Sequence, residues 1–148
     1  MSKWKKLQSL PLRDRLKLVW YSFLLLLIHL GLQGFGYLKV YTFLANHPER
    51  RDLRTGGAEN ALAEARHCAS LVSIAARYGF IRVTCLRQAL LVFWLLRHQG
   101  IQTQLRVGVR RQGESIIAHA WVKYGEDVIS EGSQVEKNFT AFEGMPNE

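Results

Sequence analysis

Residues 85–111 read CLRQALLVFWLLRHQGIQTQLRVGVRR, and a change of period inside this stretch decides the fold. From Cys85 to His98 apolar side chains occupy most sides of a helix (Leu86, Ala89, Leu90, Val92, Phe93, Leu95, Leu96), which marks a central, buried element. Thr84 before it is of the type that caps a helix start, and Gly100 stops it. Beyond Gly100 the period falls to two. Leu105, Val107 and Val109 alternate with Arg106, Gly108 and Arg110, as in a half-buried strand. Arg111 to Glu114 form a turn. Ser115–Tyr124 is apolar on both faces and reads as an interior strand. Gly125-Glu126-Asp127 turns the chain, and Val128–Glu131 returns as a third strand.

Upstream the pattern is helical. Pro11 suits a first helical turn and opens a helix over about Leu12 to Leu32, with a second over Phe35 to Leu44. Residues 1–10 read as a loose basic start. Asn46 to Asp52 is a polar linker with a break at Pro48, continued by Thr55-Gly56-Gly57. Ala58–Ala76 carries Leu62, Ala65, Ala69, Val72 and Ala76 at helical spacing. Tyr78-Gly79-Phe80 ends it, with Gly79 suited to the position after a helix. The tail from Gly132 is polar, with Phe139 and Phe142 as anchors. Helices first and an antiparallel meander afterwards predict an α+β fold. Residues 1–48 form a helical N-terminal segment packing on a core of 49–148.

The run LVWYSFLLLLIHLGL at 18–32 invites a membrane reading. It is shorter than the roughly twenty apolar residues of a spanning helix, contains Ser22 and His29, and lacks a small-residue cleavage site. A buried core helix is the preferred expectation, and peripheral membrane contact through this basic, amphipathic segment is the other use it could have.

The chain has 148 residues, 48% of them hydrophobic, and a formal net charge of +8. That composition excludes a disordered chain and fits one domain. The positive excess, from Lys3, Lys5, Lys6, Arg13, Arg15 and Lys17 and from Arg50, Arg51 and Arg54, fits an acidic peptide or an anionic surface as well as it fits plain solvation. Basic residues do not interleave with aromatics, so no nucleic-acid partner is expected. Two cysteines without a Cys-x-x-Cys pair indicate free thiols and a cytoplasmic protein. Zinc-ligand spacings, a glycine-rich phosphate loop and a Gly-x-Ser-x-Gly elbow are lacking, so neither metal nor cofactor is expected.

Cys85 and His119 carry the candidate chemistry. Cys85 stands at a helix start, where open amides and the helix dipole favour a negatively charged sulfur and can hold an oxyanion. A buried cysteine more often serves as a small hydrophobe, and Cys68 fits that use. His119 shares a strand face with Ile117 and Trp121. A lone histidine in such a strand is more often structural. If that face meets the Cys85 helix, the imidazole can act as base and then as acid. An orienting acid would follow the turn. Glu131 faces His119 only if the turn has three residues, whereas a two-residue turn at Gly125-Glu126 sets it opposite Ala120, on the other face. Asp127 is the alternative. Glu131 is favoured.

The stretch beginning at Cys85, followed by Ala118-His119-Ala120-Trp121-Val122 and the rest of AHAWVKYGEDVISEG, resembles the lasso-peptide B proteins, leader peptidases of the transglutaminase-like superfamily. The resemblance covers about residues 58–131 and extends to the helices at 12–44. It implies a papain-like, transglutaminase-like cysteine-hydrolase core with a small antiparallel sheet, with Cys85 as nucleophile and His119 as general base and acid. The family's third residue is usually Asp where this chain has Glu131. The resemblance further implies a cysteine peptidase that removes the leader of a ribosomally made precursor peptide. Its partners would be a separate leader-recognition protein and the lasso cyclase that closes the macrolactam. A transglutaminase-like acyl transferase and a noncatalytic peptide-binding scaffold of the same fold are the alternatives.

Overall fold

The computed structural model describes residues 10–46, 57–79, 81–129 and 137–141. Among them, α1 (Leu12–Phe35), α2 (Tyr37–Ala45), α3 (Ala58–Tyr78) and α4 (Cys85–His98) precede β1 (Gln104–Gln112), β2 (Ser115–Tyr124), β3 (Asp127–Val128) and β4 (Thr140–Ala141). The expected α+β order holds. The readings made for residues 1–9, the linker at 47–56, Phe80, Glu131 and Phe142 lie outside the described residues.

Glycine geometry sets the helix boundaries. Gly36 has φ 79°, a left-handed value that L side chains resist, and it separates α1 from α2. Gly100, also at φ 79°, follows α4. There the Gly100 amide donates to Arg97 O (3.0 Å) and the Ile101 amide to Leu96 O (2.9 Å). This pair of bonds is a Schellman termination, and the buried Ile101 supplies the apolar contact that accompanies it. Gly79 corrects an expectation. Its φ is −71°, so it is no left-handed cap. Glycine fits there for space, since a Cβ would meet Ala75 O at 2.7 Å.

The core lies where α1, α3 and α4 meet one face of the sheet. α4 is its centre, with Leu90, Leu91, Val92 and Leu96 almost fully buried, and it packs chiefly on β2 and α3. From α3 come Ala65, Cys68, Leu71, Val72 and Ala75. The small residues among them let α1 and α4 approach closely.

α1 departs from the expected buried core helix. Leu18, Tyr21, Leu25 and Ile28, spaced three and four apart, enter the core with Asp14. The opposite side, formed by Leu12, Leu16, Val19, Trp20, Phe23, Leu26, Leu27 and Leu30, is exposed. A helix that is apolar all round gives no sequence signal for which side is covered. By length and composition alone α1 is long enough to cross a membrane. Its buried side nevertheless belongs to the same core as α3 and α4. Ser22, which interrupts the apolar run, donates its hydroxyl to Leu18 O (2.9 Å). Asp14 meets Lys17 Nζ at 4.0 Å and His67 Nε2 of α3 at 3.4 Å.

The sheet has the order β3-β2-β1-β4 and every pair is antiparallel. β2 is interior in the strand order, but only Ala120, Trp121 and Val122 are buried on both faces; Ile116 and Ile117, in its first half, are exposed. Gly113 and Gly125, at φ 62° and 59°, open two-residue turns of the kind that tight hairpins need. β4 was not foreseen. Thr140–Ala141 returns from the polar tail to pair with Val109 and Gly108 on the free edge of β1.

Candidate active site

Cys85 is the first residue of α4 and is partly exposed. Thr84 holds the N-cap position with extended backbone, but its side chain makes no capping hydrogen bond, against the expectation. The Thr84 carbonyl instead accepts from the Gln88 amide (3.2 Å). The amides of the first turn, which have no partner within the helix, are thus not claimed by the Thr84 hydroxyl. Arg87 reaches back from this turn and donates to Arg82 O (3.3 Å), fixing the segment that leads into Cys85.

Cys68 is a different thiol. It is buried in α3, and burial pushes it up to about 11, with the Tyr21 hydroxyl donating to it and Lys17 near it, both working the other way. Desolvation of the charged form is the dominant cause, which makes Cys68 a structural residue.

His119 lies in the middle of β2, opposite Gly108 of β1, and is partly buried. Its ring stacks near Trp121 (centroids 6.3 Å apart) and Phe139 (5.2 Å). Phe139 in turn lies under the Arg110 guanidinium at 4.9 Å, a cation–π distance. The tail anchor expected at Phe139 is therefore seated against the histidine. Trp121 is 1% exposed, and its Nε1 has no hydrogen-bond partner among the described residues. Gly108 makes room for this cluster. A Cβ there would lie 2.7 Å from Trp121 Cη2 and 2.8 Å from Thr140 O. In the sequence Gly108 is only one step of the β1 alternation. The signal for its role is its place opposite the histidine, legible only with the strand register.

The strand alternation sorts the two faces. Ala120 and Val122 enter the core that α4 occupies, while His119 and Trp121 project from the other side of β2. Cys85 and His119 therefore lie on elements that pack together, but the His119 face is not the one that the body of α4 covers, contrary to the arrangement the sequence called for. The imidazole sits in an aromatic cluster instead. The body of α4 meets the alanine–valine face.

The third residue depends on register. The pairs Tyr124↔Asp127 and Lys123↔Val128, continued by the Ile129 amide donating to Val122 O (2.8 Å), define the turn at Gly125-Glu126. That is the two-residue form of the turn. Glu131 itself lies outside the described residues. Asp127 pairs with Tyr124, on the Val122 side of the ladder, and meets Arg66 Nη2 of α3 at 3.4 Å.

A helical layer that carries a cysteine at the start of its central helix, against an antiparallel sheet with a histidine on its interior strand, is the architecture of papain-like acyl-transfer enzymes. The transglutaminase-like superfamily model matches residues 32–143, and the chain belongs to that superfamily. Its fold serves cysteine hydrolases and acyl transferases. No curated protein and no solved structure matches the chain. Cys85 and His119 lie inside the matched segment, and almost all of α1 precedes it.

Proposed function

We propose that the protein is a cysteine peptidase that cleaves the leader from a lasso-type precursor peptide. The observation that carries this reading is the position of Cys85, a partly exposed thiol at the first residue of the central helix in a transglutaminase-like domain. In the proposed reaction the Cys85 thiolate attacks the carbonyl joining leader to core. The first-turn amides of α4 receive the developing oxyanion. His119 gives its proton to the departing core amine, and a water molecule, deprotonated by His119, then releases the leader as a carboxylate. Glu131 is the proposed orienting acid, a role that requires the chain past Ile129 to leave the two-residue register; Asp127, on the Val122 side and paired with Arg66, is the alternative. The freed amine passes to a separate cyclase. A small recognition protein delivers the leader, and the net positive charge of the chain favours an acidic one.

The decisive experiment is cleavage of the precursor with and without the recognition protein, followed by mass spectrometry. Cys85→Ala and His119→Ala should each lower turnover on the order of a thousandfold or more. Unchanged cleavage by Cys85→Ala overturns the proposal. Acyl transfer to an added amine in place of hydrolysis would assign the same thiol to a transferase.

A further inference from the structure

We propose that the exposed side of α1 is a docking surface for an anionic lipid bilayer. On this surface the protein would lie with α1 parallel to the membrane plane and the sheet away from it.

The first observation is the stripe itself. Leu16, Val19, Trp20, Phe23, Leu27 and Leu30 follow one another at helical spacing and are all exposed, Leu16 at 66% and Val19 at 72%. From Leu12 to Leu30 this side of α1 contains no polar residue, and it runs for about 27 Å at the usual rise per residue. Surfaces of this kind on soluble chains mark interaction sites. The stripe is also widened on both flanks. On one, α1 and α2 border an apolar hollow of about 640 Å³ lined by Phe35, Val40 and Phe43. On the other, α1 and α3 border a second of about 470 Å³ lined by Ile74, Tyr78 and Val83. The resulting apolar face is broad.

The second observation is charge. Asp14 is the only acid within α1 and α2, and it is buried against Lys17 and His67. The other charged residues of these helices are Arg13, Arg15, Lys17 and Lys39. Arg13 and Arg15 flank the N-terminal end of the stripe and are exposed. Lys39 lines the first hollow, while Arg77 and Arg82 stand beside the second and are also exposed. The acids Glu59, Glu64, Glu114, Glu126 and Asp127 are carried by the start of α3 and by the hairpin turns. An apolar face bordered by cations complements anionic headgroups around an acyl interior. The same border repels a second copy of this chain brought face to face with it. The matched family segment starts at residue 32, so the stripe belongs to a helix that the superfamily core does not account for.

The test is flotation of the purified chain with vesicles of phosphatidylcholine containing roughly a third phosphatidylglycerol, and with phosphatidylcholine alone. The expected result is recovery with the anionic vesicles and about tenfold or more weaker recovery with the neutral ones. Trp20→Ser/Phe23→Ser should lower recovery on anionic vesicles by about tenfold or more, with circular dichroism and melting unchanged because both side chains are exposed. Should that variant fail to fold, Leu16→Gln repeats the measurement. Arg13→Gln/Arg15→Gln should weaken anionic binding and leave neutral binding unchanged. Absence from the floated fraction, undiminished flotation of the stripe variants, or equal recovery on both vesicle types overturns the proposal. A dimer in light scattering that Trp20→Ser/Phe23→Ser dissolves assigns the face to a second copy and overturns it too.

Discussion

The two thiols of this chain differ in ways that a single reagent can read. Cys85 begins α4 and is partly exposed, whereas Cys68 is buried and pushed up to about 11. Alkylation by iodoacetamide at mildly alkaline pH should modify Cys85 in the folded protein and leave Cys68 intact until denaturant is added, as followed by peptide mass spectrometry. Equal labelling of both would contradict the buried setting of Cys68. At this scale the sequence was informative because the residue types are few. One cysteine sits at a helix start, and one histidine lies in an interior strand. It was weak for the third residue, since one step of register moves Glu131 between faces, and the turn at Gly125-Glu126 takes the two-residue form.

Elements were read well where a period or a terminator was strong. α4 spans Cys85–His98 as its pattern requires, and its Gly100 stop is a two-bond Schellman cap. Where long-range pairing decides, the sequence carries no local signal. β4 is two residues of a polar tail, recruited by the free edge of β1, and no local period announces it. Gly108 is where that pairing leaves its mark. Gly108→Ala places a methyl group against Trp121 and Thr140 O at under 3.0 Å. It should therefore cost about 1–3 kcal/mol, measured by denaturant unfolding, and should loosen the Phe139 seat beside His119. A neutral result would mean that the sheet accommodates the methyl without moving Trp121.

Across the whole molecule α1 has two roles set by its two sides. Leu25, 1% exposed, is surrounded by the common core. Leu25→Ala should destabilise the protein by about 2–5 kcal/mol, while Leu16→Ala, on the outward stripe, should change stability by no more than about 0.5 kcal/mol. Equal effects in denaturant titrations would mean that α1 is not integrated as described. The sequence by itself determined the order of elements, the α+β class, the central place of α4 and the identity of the candidate nucleophile and base. Those rest on local periodicity, terminators and residue chemistry. Only the tertiary structure decided which side of α1 is covered, which hairpin register holds, and that β4 and Phe139 close over the His119 face. Each of these depends on contacts between segments far apart in the chain, and a helix apolar on every side or a strand apolar on both faces carries no local preference among them.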